Sequence, residues 1–168
     1  MRLTHVALLA ALVVLGASPG HAESVTKRDP RGDAPPRLDI TGVTYRNMPR
    51  KAAVHLAIPD LVRAGSASLF IGPSTPSDFG FYAIVRVRPD GSLKKRFLYS
   101  GDGGTVEQEC AFAVTWNAGG NYIDISVPNT CYAEADGTEI WLQGATGINT
   151  DTWQAKDAAP SAYHLLKG

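Results

Sequence analysis

The chain has two cysteines, Cys110 and Cys131, and the residues between them leave that stretch little freedom in how it folds. Cys110–Trp116 and Tyr122–Val127 alternate apolar and polar residues, the pattern of half-buried strands. A two-residue turn at Gly120-Asn121 would set Cys110 opposite Cys131, Val114 opposite Val127 and Trp116 opposite Ile125. The cysteines then occupy a non-hydrogen-bonded pair, whose Cα atoms approach to about 4.5 Å, within reach of a disulfide. Phe112, Val114, Trp116, Ile123, Ile125 and Val127 share their face, while Thr115, Asn117, Asp124 and Ser126 point the other way. A structural Cys110–Cys131 bond is expected, stabilising the fold by roughly 3 kcal/mol.

The rest of the chain follows the same rule of short strands between turn residues. Leu38–Tyr45 reads as a first strand, with a bulge expected at Gly42, where the alternation changes phase. In Ala52–Ile58, residues Val54, Leu56 and Ile58 face one way and His55 the other. Ser68–Ile71 is short. Phe81–Arg88 and Leu93–Tyr99 flank Pro89-Asp90-Gly91-Ser92, a hairpin signal, because Asp-Gly suits a primed turn. Glu139–Gly144 reads as the last strand, and Gly101-Asp102-Gly103-Gly104 as a turn. No window carries a sustained helical period. About eight such strands predict an all-β antiparallel sandwich, jelly-roll-like, with one disulfide.

Residues 1–22 read as an address. Met1-Arg2 is the charged start, Val6–Leu15 an uncharged stretch, and Gly20-His21-Ala22 a cleavage site after Ala22. Ten residues rise only about 15 Å as a helix, half of a ~30 Å hydrocarbon core, so a signal peptide is expected and no membrane span. The mature chain is expected to be secreted. Residues 23–37 are polar and proline-rich and read as an irregular lead-in, with residues 38–168 as a single domain.

Charge then narrows the function. With 16 Lys+Arg against 16 Asp+Glu, the chain lacks the basic excess of a nucleic-acid binder. Asp29, Asp33 and Asp39, spaced by Pro30 and Gly32, could converge around a hard cation such as Ca2+. Three carboxylates do not fill a calcium shell, so backbone carbonyls or a distant acid such as Asp102 or Asp157 would have to complete it. The other reading has each acid capping its own turn. Arg31-Gly32-Asp33 also matches an adhesion tripeptide, but the turn already accounts for those residues.

Catalysis is thinly supplied. Beyond the signal segment the histidines are His55 and His164, and no nucleophile-elbow or zinc-binding pattern frames a candidate site. Trp141, out of phase with Ile140 and Leu142, and Trp153, in the loose C-terminal segment, are candidate ligand platforms.

With these residues in view, the chain resembles small exported proteins of actinobacteria that mostly lack assigned functions. The likeness rests on the Asp29-Pro30-Arg31-Gly32-Asp33 turn, Leu38-Asp39-Ile40, Pro59-Asp60-Leu61 and Val127-Pro128-Asn129-Thr130-Cys131. More remotely, the Asp-Pro-x-Gly-Asp turn before a sandwich is similar to carbohydrate-binding modules of the DOMON and family-nine type, although this chain lacks their further acidic and glycine residues. A secreted, non-catalytic binding module is expected, and the resemblance implies carbohydrate or another cell-envelope component as its ligand. Second comes a structural or protein-interaction domain without a small ligand, and third a hydrolase. The expected partner is an extracellular glycan or protein.

Overall fold

The computed structural model describes residues 23–74, 79–133, 139–148 and 154–167. The expected signal segment 1–22 and the candidate platform Trp153 lie outside the described residues. In chain order the strands are β1 (Glu23–Arg28), β2 (Gly42–Met48), β3 (Lys51–Ala57), β4 (Gly65–Pro73), β5 (Gly80–Val87) and β6 (Leu93–Gly101). They continue as β7 (Gly104–Gln108), β8 (Ala113–Asn117), β9 (Tyr122–Pro128), β10 (Glu139–Thr146), β11 (Asp157–Ala158) and β12 (Ala162–Leu166). A five-stranded sheet has the order β1-β2-β3-β9-β8. A seven-stranded sheet runs β11-β10-β4-β5-β6-β7, with β12 also on the free edge of β10. All pairings are antiparallel. Among the described residues no helix is long and apolar enough to cross a membrane.

Alternation builds the core. Val43 and Tyr45, Val54 and Leu56, and Ile123, Ile125 and Val127 point inward from the smaller sheet. Leu69, Ile71, Phe81, Ala83, Val85, Phe97, Ile140 and Leu142 answer from the larger one. Two sheets with one apolar face each must bury those faces against one another, and a sandwich is the outcome. The sheets approach closely at Gly144, where a Cβ would sit 2.6 Å from Cδ2 of Leu56. There the Gly144 N–H donates to the buried Tyr45 hydroxyl at 3.0 Å. At one corner the Leu166 N–H donates to the Glu23 carboxylate, bringing the ends of β1 and β12 together.

The disulfide forms between Cys110 and Cys131, with a Cα–Cα distance of 5.6 Å. The expected register does not. Val114 pairs Ile125 and Trp116 pairs Ile123, and Asn117 facing Tyr122 leaves a four-residue loop in place of the Gly120-Asn121 turn. Asn117 sets that loop by accepting the Gly120 N–H on its Oδ1 at 2.8 Å, and Asn121 takes the left-handed φ of 61°. The slip is two residues, so every side chain keeps its expected face. Both cysteines lie outside the paired strands, Cys110 before β8 and Cys131 in a 3₁₀ turn over Asn129–Cys131.

Other boundaries also differ. The lead-in is not irregular throughout, since Glu23–Arg28 pairs with β2 in full register and Val25 packs against the core. Leu38 begins no strand. Turns closed by Leu38 N–H to Pro35 and Asp39 N–H to Pro36 hold residues 35–39, and Gly42 opens β2 in regular register, without a bulge. At 89–92 the turn is closed by Gly91 N–H to Arg88 O, with Gly91 at φ 82° and Arg88 bonded to Ser92, a three-residue loop rather than a two-residue primed turn. Among the described residues twelve strands replace the eight expected: β1 falls in the stretch read as lead-in, and β7, β11 and β12 have no clear apolar alternation.

Candidate functional site

The acidic turn is positioned where β1 ends and β11 begins. Asp33, Asp39 and Asp157 bring one carboxylate oxygen each within 4.8 Å of one another. Asp39 and Asp157 are buried and Asp33 is exposed, so the cluster opens to solvent on the Asp33 side. Gly32, at φ 92°, turns the chain so that its N–H meets both Asp39 oxygens at 3.0 and 3.2 Å. Asp157 Oδ2 accepts the Ile40 N–H at 2.6 Å. Of the two distant acids that could complete the set, the fold brings Asp157, while Asp102 sits in the hairpin turn between β6 and β7.

Asp29 stands in the electrostatic field of all three. Burial, then Asp157, Asp33 and Asp39, push its carboxyl up to about 6, and its Oδ2 is buried with no hydrogen-bond partner. Burial also raises Asp157, opposed by the Ile40 N–H and reinforced by Asp33 and Asp39. No lysine or arginine among the described residues counts among the causes acting on either group. Such a cluster costs stability above the pH where Asp29 ionises, unless a positive ion shares it.

The second feature is the outward face of the seven-stranded sheet. Strand register sets its rows: Gln143, Phe70, Tyr82 and Leu98 in one, and Ala145, Ser68, Ile84 and Arg96 in the next. Phe70 lies over Gly72 and Gly80, where a Cβ would come within 2.8 and 2.3 Å of its ring. Its ring centre is 4.9 Å from that of Tyr82 and 4.7 Å, edge-on, from that of Trp141. Trp141 does point away from Ile140 and Leu142, as its phase requires, but it is not an open platform. Tyr163 stacks on it at 5.1 Å and 23°, and is itself 48% exposed. A bulge causes this. Leu142 pairs Ala162 and Ile140 pairs Leu165, so Tyr163 and His164 both oppose Trp141, with His164 at φ 56°. The Trp141 indole N–H is buried without an acceptor. Ser68, Phe70, Tyr82, Gln143 and Gln154 line a cavity of about 410 Å³ beside this aromatic strip.

The sequence singled out neither Tyr163 nor Tyr82. The signal for Tyr163 is the short run Ala162–Leu166 after Pro160, whose alternation is broken at the bulge.

His55 binds Asp124 across the strand pair, Nδ1 to Oδ1 at 2.7 Å, on the outward face of the smaller sheet. Its ring centre lies 5.2 Å from that of Tyr122, two residues before Asp124, whereas Ser126, the hydroxyl lining the same depression, lies two residues after it.

No protein-family model matches the chain, and no curated protein or solved structure matches it either.

Proposed function

We propose that this protein is an exported, non-catalytic binding module whose ligand is carbohydrate, held on the outward face of the seven-stranded sheet. The observation that carries the reading is the strip Tyr163–Trp141–Phe70–Tyr82 beside a concavity supplied with Ser68, Gln143 and Gln154. Tyr163 and Tyr82, backed by Trp141 and the buried Phe70, offer apolar ring faces to a sugar, and a few amides and hydroxyls orient it, as in most small-ligand sites. Retention of the purified chain 23–168 on polysaccharide columns or a glycan array tests this. Tyr163→Ala and Tyr82→Ala should each reduce retention, and undiminished binding in both variants would remove the strip from the site.

Calcium belongs to the same reading on a separate observation, the orphaned Asp29 Oδ2 in the field of three converging carboxylates, Asp33, Asp39 and Asp157, a group that does not itself include Asp29. Asp29, Asp33, Asp39 and Asp157 would supply the hard oxygen donors that Ca2+ prefers. The ion would tie the segment after β1 to β11 and relieve the mutual repulsion of the acids. Its role is structural support, since it would join the two segments that carry the acids.

A further inference from the structure

We infer that the ligand is an acidic glycan, its sugar rings on the aromatic strip and its carboxylate or phosphate groups in a cationic cleft at the other end of the same face. The inference rests on the carbohydrate reading above and adds the charge of the ligand.

A cavity of about 860 Å³ is lined by Arg37, Arg86, Arg88, Lys94 and Lys156, with no acid among its described lining residues. The whole chain has as many acids as Lys and Arg, so the cleft concentrates one sign of charge on a neutral molecule. Four of the cations outside the cleft are engaged. Arg31 pairs with Asp60, Arg96 with Glu107, Lys27 binds the Ser161 carbonyl and Lys95 that of Phe112. No ion pair or side-chain hydrogen bond among the described residues involves any of the five in the cleft. Acids that flank the cleft residues among the described ones have other positions. Asp90 sits in the adjoining turn, held by Ser92 and sensing Arg88, and Asp39 and Asp157 belong to the cluster behind Leu38.

Register joins the cleft to the aromatic end. Ser66, Arg86 and Lys94 form one row across β4, β5 and β6, on the face that also carries Ser68, Phe70 and Tyr82. Tyr82 and Arg86 stand four residues apart on β5, roughly 13 Å at strand rise, a separation suited to an oligomer rather than one small anion. Ile148 lines both cavities, and only small side chains, Ser68 and Ala145, lie between them on β4 and β10. Arginine forks bind carboxylate and phosphate oxygens in pairs, which gives the cleft selectivity for such groups over a diffuse charge.

Titration calorimetry with short oligogalacturonates, with their methyl esters and with polyglutamate tests the inference. The acid should bind at least about tenfold tighter than the ester. Arg86→Gln/Arg88→Gln, both at exposed positions, should bring the acid down to the ester's affinity and leave the ester unchanged. Tyr163→Ala should weaken both sugars. Equal affinity for acid and ester, or an acid preference that survives the double substitution, overturns the inference while the carbohydrate reading stands. Retention of neutral polysaccharides with no binding of oligogalacturonate has the same meaning. If polyglutamate binds as tightly as the acid sugar and Tyr163→Ala spares both, the cleft is a general anion site and the carbohydrate reading falls with the inference. Binding of neither sugar, with no polysaccharide retained, overturns both.

Discussion

The hydroxyl of Tyr45 in the smaller sheet accepts the backbone N–H of Gly144 in the larger one, 3.0 Å away in the middle of the core. Burial pushes the phenol well above its ordinary range, with the Gly144 N–H opposing. Tyr45→Phe keeps the ring and leaves that N–H without its phenolic acceptor, so urea unfolding should show a loss of about 1–3 kcal/mol. Gly144→Ala forces a methyl against Leu56 and should cost a similar amount by overpacking. A Tyr45→Phe protein as stable as the wild type would show that the bond adds nothing to the sheet contact.

Asp29 gives stability a pH dependence of definite sign. Its carboxyl is raised to about 6 in the folded chain from an ordinary 3.8, so the folded state holds the proton more tightly than the unfolded one. The penalty is fully present above pH 6 and fades as the pH falls toward 3.8. In chelator, Asp29→Asn should therefore melt higher than the wild type at pH 7.5, and the gap should close near pH 4. A gap that widens on acidification would contradict the cause assigned here.

Calcium should reverse that order. With the ion in hundredfold excess over its dissociation constant, the wild type gains roughly 2.7 kcal/mol by mass action, while Asp29→Asn and Asp33→Asn gain less. Asp102→Asn, in the β6–β7 turn, should respond as the wild type does. Coincident melting curves with calcium and with chelator would eliminate the site.

The Cys110–Cys131 bond closes a separation of 21 residues. Cys110→Ser/Cys131→Ser should lower unfolding stability by about 3 kcal/mol without loss of sheet signal in circular dichroism, because the core alternation is independent of the bond. A non-reduced digest should recover the two cysteines in one linked peptide pair.

What could be read from the chain follows from how strongly burial marks each residue. Val54, Leu56, Ile123, Ile125 and Val127 alternate cleanly, and all five are buried where the period places them. The cysteine pair emerged for the same reason, since a slip of two residues preserves faces and two cysteines admit only one intramolecular bond. The loop length did not, because Asn117 folds back on Gly120 and no turn rule records that side chain. Strand β7 was invisible because all five of its residues are exposed. Of the acidic site, local spacing showed Asp29, Asp33 and Asp39, while Asp157 was only one of two distant possibilities until β10–β11 pairing carried it there. The cleft had a trace in Arg86, Arg88 and Lys94, which flank one hairpin, but Arg37 and Lys156 join them only through the fold.

Glu23 and Leu166 meet at one corner through a side-chain to backbone bond. A short peptide linker could join these positions into a ring, and new termini could then be opened in the Asp102-Gly103 turn, which is exposed. Such a circular permutant should keep the sandwich. The same adjacency governs mechanical load: pulling on residues 23 and 166 peels the β1–β12 corner first, so force reaches the buried layers only after that edge has opened.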